Sequence, residues 1–118
     1  MTTAATIDDF SYSGTVRAVT WNGLSQASAD GAPYVWPEYA DRSVTVTGTF
    51  GAGTLTIQGS NDNVNWFTLH DTTNTAITMT TAKLVQALEL THYVRPLVTG
   101  ADGTTTLTVT LVMRRNWK

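Results

Sequence analysis

The chain has 118 residues, a formal net charge of −2 and charged side chains at only 14% of its positions. This length suits a single domain with one core, and the low charge argues against nucleic acid as a partner. The sequence contains no cysteine, which excludes disulfides and thiolate metal sites, so stability must come from packing or from association with other chains.

The N-terminal segment is polar and rich in Thr and Ser. It lacks the Lys/Arg start and apolar centre of a secretory signal, and no later apolar run approaches the roughly 18 residues of a membrane helix. We therefore expect a soluble chain that is not exported by that route and has no membrane partner. Residues 1–13 are predicted to form an N-terminal arm that is either frayed or ordered by contact with another element. Residues 14–118 are predicted to form a single domain.

Apolar residues alternate with Thr along much of the remaining chain, a period typical of strands with one buried face. The clearest strands are SVTVTGTF (43–50), TLTIQGS (54–60) and TTTLTVTLVMRR (104–115). Weaker candidates are TVRAVTW (15–21), WFTLH (66–70), AITMT (76–80), LVQALEL (84–90) and YVRPLVTG (93–100). The predicted core comprises the inward-facing residues Val44, Val46, Phe50, Leu55, Ile57, Phe67, Leu69, Leu107, Val109 and Leu111.

Turn sequences rich in Gly, Asn and Asp separate these strands about every ten residues. About eight short strands in a chain of this size predict an all-β fold, an antiparallel two-sheet β-sandwich of jelly-roll or immunoglobulin-like topology. Residues 22–42 break the alternation and predict a long loop lying on the sandwich. Tyr34, Trp36 and Tyr39 in this loop form either a lid on the core, which we favour, or an exposed contact patch.

The stretch QGSNDNVNWFTLHD (58–71) combines a polar turn with aromatic residues. Gly59 can adopt a positive φ, and the Asn and Asp side chains can bond their own backbone, so the polar half predicts a chain reversal. Trp66 and Phe67 are neighbours and must point to opposite faces of a strand. Phe67 and Leu69 are two residues apart and therefore point to the same face of a strand. We expect Phe67 in the core with Leu69, and Trp66 outside, under a loop or against a partner.

The sequence contains no catalytic motif such as G-x-S-x-G or H-E-x-x-H. His70 ends a predicted strand beside Asp71, a pairing that could orient an imidazole, although a histidine at a strand end is more often solvated. Asp62, Asp71 and Asp102 lie in turns without the spacing of a calcium loop, so we interpret them as Asx-turn caps. We predict a protein that is not an enzyme and uses neither a metal nor another cofactor.

Parts of this sequence resemble two kinds of β-sandwich domain. QGSNDNVNWFTL together with HYVRPLV is similar to the central and late strands of discoidin-type jelly rolls, many of which bind sugars or lipid headgroups through loops at one end. The longer string from GSNDN to VMRR, residues 59–115, resembles the capsid decoration or cement proteins of tailed bacteriophages. The matching residues belong to the scaffold and are Gly59, Ser60, Asn61, Asp62, Trp66, Tyr93, Arg95, Pro96, Gly100, Gly103 and Arg114. Asn63 stands where both groups commonly have Gly, and residues 1–42 match neither pattern.

The resemblance to decoration proteins implies a virion protein, made in the host cytoplasm, that binds the major capsid protein on the outer capsid surface, often as a homotrimer. The polar N-terminal arm and the C-terminal MRRNWK are candidate contacts. Arg114, Arg115 and Trp117 in that tail are of the residue types enriched in interface hot spots, although a basic tail is often only solvated. Trp36 and Trp66 complete the set of candidate partner contacts.

Two alternatives remain open. In a carbohydrate-binding β-sandwich, Trp21, Trp36 and Trp66 could stack on sugar faces. Such a module is normally appended to a larger protein, whereas this chain begins with Met and ends at Lys118 without a linker, so we rank it second. The other alternative is a different virion part on the same scaffold, in the tail, the fibre base or the head-completion complex.

Overall fold

A computed structural model describes residues 2–9, 15–35 and 39–115 of the chain. Within these ranges it contains twelve strands and no helix, and hence no helix that could cross a membrane. The strands are β1 (Thr2–Thr3), β2 (Ala5–Asp9), β3 (Val16–Ser25), β4 (Asp30–Gly31), β5 (Tyr34–Val35), β6 (Ala40–Thr49), β7 (Thr54–Ser60), β8 (Phe67–Thr68), β9 (Thr78–Met79), β10 (Lys83–Gln86), β11 (Tyr93–Thr99) and β12 (Thr106–Arg114).

The strands form two sheets that pack as a β-sandwich, which confirms the predicted fold class. The predicted number of about eight strands is too low, since the described residues contain twelve. Five of these strands, β1, β4, β5, β8 and β9, have only two residues each. A period of two cannot be recognised over so short a segment. Four of these strands pair with the longer β7 or β11, and β1 pairs with β4.

The five-stranded sheet has the order β10-β6-β12-β3-β2, and every neighbouring pair is antiparallel. Its three inner strands are long, with ten residues in β3 and β6 and nine in β12. One register shift between Leu107 and Thr108 accommodates Gly23, whose φ of 91° is readily adopted only by glycine. β12, the last strand along the chain, lies at the centre of this sheet.

The seven-stranded sheet has the order β1-β4-β11-β7-β8, with β5 also pairing with β11 and β9 with β7. Only β7 and β11 are long, at seven residues each, and they pair along their whole length. The predicted loop over residues 22–42 is therefore partly wrong, because β3 continues to Ser25 and β4 and β5 pair with β11. These pairings join residues distant in sequence, so local alternation does not reveal them.

The N-terminal segment contributes to both sheets. β1 pairs in parallel with β4 in the seven-stranded sheet, and β2 pairs with β3 at the edge of the five-stranded sheet. The predicted arm of residues 1–13 is thus held by pairing at residues 2–9, while its remaining residues lie outside the described ranges.

The core lies between the two sheets. Nine of the ten predicted core residues are buried, namely Val44, Val46, Phe50, Leu55, Ile57, Leu69, Leu107, Val109 and Leu111. The prediction for Phe67 is wrong, since its side chain is 71% exposed. Because β8 ends at Thr68, the alternation that linked Phe67 to Leu69 does not continue. Trp66 lies outside the core, as predicted, with the guanidinium of Arg95 4.1 Å from the centre of its ring.

Tyr34 and Tyr39 of the 22–42 region are buried and belong to the core cluster, which confirms the prediction that they pack on the core and do not form an exposed contact patch. Arg17 lies across both, with its guanidinium 4.6 Å from the centre of the Tyr39 ring and its Nη1 donating to Tyr34 Oη at 3.3 Å. Burial raises the pKa of Tyr34, while the contact with Arg17 acts in the opposite direction. Trp36, the third aromatic residue of the predicted lid, lies outside the described residues.

Candidate functional site

The turn between β7 and β8 is organised around the carboxylate of Asp62. Its Oδ1 accepts the backbone N–H groups of Asn65 at 2.8 Å and Val64 at 2.9 Å, and the Ser60 hydroxyl at 2.9 Å. Its Oδ2 accepts the Asn65 side-chain amide at 2.7 Å. These hydrogen bonds, the two backbone bonds foremost, hold the pKa of Asp62 well below its usual value. Asn63 has a φ of 62°, so it adopts the left-handed conformation for which glycine is the usual choice.

The other two aspartates also cap their own turns, which confirms the predicted role of all three. Asp71 Oδ1 accepts the hydroxyl and the backbone N–H of Thr73 at 2.7 and 2.9 Å. Asp102 Oδ1 accepts the hydroxyl and backbone N–H of Thr104 at 2.6 and 2.8 Å, and its Oδ2 accepts the N–H of Ala52 at 3.0 Å. In the described part of the chain, no three His, Asp or Glu side chains are grouped to hold a metal ion.

His70 pairs with Glu89, not with Asp71. Its backbone N–H donates to Glu89 Oε1 at 2.7 Å, and its Nδ1 lies 2.6 Å from Glu89 Oε2. The Asp71 carboxylate is instead engaged by its own turn. Burial acts to raise the pKa of Glu89, but the hydrogen bonds from His70 together outweigh it and leave that pKa below its usual value. The partner that orients the imidazole lies 19 residues further along the chain and could not be inferred from neighbouring residues.

An open cleft of about 400 Å³ lies between the hydrogen-bonded His70 and Glu89 and the Asp62 turn. Its lining includes the exposed ring of Phe67, the side chains of Asn61 and Asn65, and the His70 and Glu89 pair. The two carboxylates in the lining, Asp62 and Glu89, already accept hydrogen bonds from within the chain. The cleft therefore presents an aromatic face beside fixed polar groups, an arrangement suited to non-covalent contact.

A second feature is a row of outward-facing leucines along β10 and the segment that follows it. Over residues 84–90 the even positions are exposed, while Val85, Ala87 and Glu89 are buried or half-buried. We call Leu84, Leu88 and Leu90 the leucine surface; their side chains are 67%, 55% and 52% exposed. The inner positions of this edge segment supply its core contacts, so the outer leucines leave more than half of each side chain available to a partner.

The predicted contact Arg114 lies beside the leucine surface. Its Nε is 2.6 Å from Asp41 Oδ2, and Asp41 lines a hollow of about 150 Å³ together with Leu88 and Leu90. Both charged side chains are more than half exposed, so this ion pair contributes little stability and can exchange with groups on a partner.

The other predicted contacts are dispersed. The Arg115 guanidinium lies 5.2 Å from the centre of the Tyr39 ring. Trp66 is on the outer face of the seven-stranded sheet beneath Arg95, while Trp36 and Trp117 lie outside the described residues. Of the three predicted contacts that the structure describes, Arg114 is the one that lies beside the leucine surface. That surface has a signal in the sequence, since LVQALEL carries apolar residues at both parities, more than a strand with one buried face requires.

No known family model and no curated protein matches the chain. The residues shared with decoration proteins therefore remain a resemblance, and function must be inferred from the surfaces themselves.

Proposed function

We propose that this protein is a non-enzymatic virion protein that binds the outer surface of a tailed-bacteriophage capsid and stabilises it as a decoration protein. The leucine surface is the observation that carries the proposal. Large aliphatic side chains grouped on one exposed edge of a small domain mark contact with another protein. The resemblance of the scaffold residues to those of decoration proteins supports the major capsid protein as that partner.

The leucine surface can supply useful but limited binding energy. Fully burying a leucine side chain contributes about 1.5–3 kcal/mol, so three half-exposed leucines offer roughly 2–5 kcal/mol before the cost of association is subtracted. The charges of Arg114 and Asp41 at its margin would favour one orientation of the partner. A single contact of this strength is weak. If copies associate, as the decoration-protein resemblance implies for a homotrimer, several such contacts to one capsid act together and raise the occupancy.

The test is co-sedimentation with capsid shells assembled from the major capsid protein of the same virion without this protein. Leu88→Asp and Leu90→Asp place a charge on the leucine surface, and we expect each to weaken binding at least tenfold. Val64→Asp is the matched control, because Val64 is a 75% exposed aliphatic residue in the Asp62 turn. Saturation by both leucine variants at the wild-type concentration would contradict the proposal. Binding to isolated tails or fibre bases, but not to capsids, would favour another virion part.

The cleft supports a second candidate function, recognition of a neutral carbohydrate. The tryptophans considered from the sequence do not supply its stacking platform: Trp21 is buried and its Nε1 donates to the Ala32 carbonyl at 2.9 Å, and Trp66 is covered by Arg95. Phe67 does present an exposed ring beside amide and carboxylate groups. Titration of the labelled protein with neutral oligosaccharides, followed by NMR, should shift the Phe67 and His70 signals if this function is present.

A further inference from the structure

The neighbouring residues Trp66 and Phe67 carry two aromatic rings in different surroundings. The Arg95 guanidinium lies 4.1 Å from the centre of the Trp66 ring, and Arg95 Nε donates to Gln58 Oε1 at 3.0 Å. This arrangement is complete: an aromatic face, a planar cation stacked on it, and an amide oxygen that holds the cation in place. The Phe67 ring is 71% exposed, lines the cleft beside the Asp62 turn, and has no cation over it among the described residues.

The cleft offers spare hydrogen-bond acceptors beside the Phe67 ring. Asp62 Oδ1 accepts three hydrogen bonds, but Asp62 Oδ2 accepts only the Asn65 side-chain amide, so it can take a further donor. Asn65 Oδ1 accepts no hydrogen bond from the described residues. Several donors in the lining are already used, since the Ser60 hydroxyl donates to Asp62 and the Thr91 hydroxyl donates to the Tyr93 carbonyl at 2.7 Å. The lining therefore favours a ligand that brings donors.

The cleft is also acidic. Its lining contains two carboxylates, Asp62 and Glu89, and neither lysine nor arginine, and His70 is its only group that can carry a positive charge. Both carboxyl groups have lowered pKa values and are ionised at neutral pH. A protonated His70 would offset only one of them, so the lining keeps a net negative charge in either form of the imidazole. This charge disfavours an anionic ligand and favours a cation over a neutral sugar.

We infer that the cleft receives an arginine side chain of a second protein, with its guanidinium stacked on the Phe67 ring and donating to the oxygens of Asp62 and Asn65. The same chemistry is complete at Trp66, where the chain supplies the cation itself. A guanidinium combines the planar face and the five donors that this site can use, whereas a lysine ammonium has no planar face. A bare metal ion would leave the ring unused, and the described residues group no three ligands for one. The inference does not depend on what the leucine surface binds.

The experiment is a titration of the isotope-labelled protein, followed by NMR, with a capped Gly-Arg-Gly peptide and with its citrulline counterpart, which has nearly the same shape but no charge. The arginine peptide should shift the Phe67 ring signals and the Asn65 and His70 amide signals in a saturable way. A dissociation constant on the order of 1 mM is expected, because one side chain in an open cleft makes few contacts. The citrulline peptide should bind at least tenfold more weakly, and added salt should weaken the arginine complex.

Two variants test the residues that form the site. Phe67→Ala removes the stacking face, and Glu89→Gln removes a charge but keeps an acceptor for His70; each should weaken binding of the arginine peptide at least fivefold. Asp102→Asn is the matched control, because Asp102 also caps a turn but lies outside the lining of the cleft. A circular dichroism spectrum and a thermal midpoint verify that each variant folds.

Three outcomes would overturn the inference: no saturable shift with the arginine peptide, equal binding of the arginine and citrulline peptides, or wild-type affinity in the folded Phe67→Ala variant. Shifts with neutral oligosaccharides but not with the arginine peptide would also overturn it and would assign the cleft to carbohydrate. Because the titration contains no capsid, its result is separate from that of the co-sedimentation experiment.

Discussion

The two sheets of this sandwich differ in regularity. The five-stranded sheet has three long inner strands in antiparallel register, with apolar residues facing inward and threonine outward. In the seven-stranded sheet, five of the strands have two residues each, and the turns between them carry the Asp62 and Asp71 caps and the cleft. Sustained alternation produces continuous faces, whereas closely spaced turns produce pockets and individually oriented side chains.

The difference extends to how each sheet is stabilised. Buried apolar side chains dominate along β12, where Leu107, Val109, Leu111 and Met113 are all at most 2% exposed. Around β8 and β9 the chain depends more on side-chain hydrogen bonds to its own backbone. We therefore expect the five-stranded sheet to respond mainly to changes in packing, and the turns of the other sheet to respond to changes in charge.

The largest expected effect is on packing in the five-stranded sheet. Leu111→Ala removes a fully buried side chain from the central strand and should lower the free energy of unfolding by about 2–5 kcal/mol. Leu84→Ala, on the exposed face of the same sheet, should change it by less than about 0.5 kcal/mol. Denaturant unfolding of both variants measures the contrast, and equal losses would show that the leucine surface is part of the folded core.

The second effect is acid sensitivity of the turns. The pKa values of Asp62, Asp71, Asp102 and Glu89 are all lowered in the folded chain. Each group therefore contributes stability above its unfolded pKa, about 3.9 for Asp and 4.3 for Glu, and this contribution is lost as the pH falls through the folded pKa. The thermal midpoint should be level near neutral pH and fall below about pH 4.

Asp62→Asn tests which part of the chain causes this acid response. The variant cannot ionise at residue 62, so its thermal midpoint should be lower at neutral pH and decline less steeply with acid than that of the wild type. Hydrogen exchange at the Val64 and Asn65 amides should accelerate in the same variant, because both donate to the Asp62 carboxylate. A midpoint that is unchanged from pH 7 down to pH 2 in the wild type would refute this explanation.

The smallest expected effect concerns Phe67. Because its ring is 71% exposed, Phe67→Ala should change the free energy of unfolding by less than about 0.5 kcal/mol. Leu69→Ala, two residues away at a buried position, should cost about 2–5 kcal/mol. Denaturant unfolding of the two variants shows whether the edge of the core lies between residues 67 and 69. A loss at Phe67 as large as that at Leu69 would place the ring in the core, as alternation alone predicts.

The sequence was most informative where its pattern was long. Alternation over β6, β7 and β12 identified most of the core residues of those strands but not the buried residues of β3 and β11, such as Trp21 and Val94. The Asx caps followed from Asp in turns with Gly, Asn and Thr. The sequence did not predict contacts between residues that lie far apart along the chain. β4 and β5 are strands only because β11 pairs with them, and Glu89 reaches His70 only because the chain returns from one sheet to the other. The leucine surface could not be located from the sequence, because the sequence does not show which of the alternating side chains in residues 84–90 face the core.

The central position of β12 also governs when this protein can fold during synthesis. β12 separates β3 from β6, so the five-stranded sheet has no continuous middle until residues 106–114 leave the ribosome. β2 and β3 can pair earlier as neighbours in the chain, but β6 then has only β10 beside it. Folding of the five-stranded sheet must therefore wait for the synthesis of β12, and a product truncated shortly before β12 would expose the inner faces of β3 and β6 to aggregation.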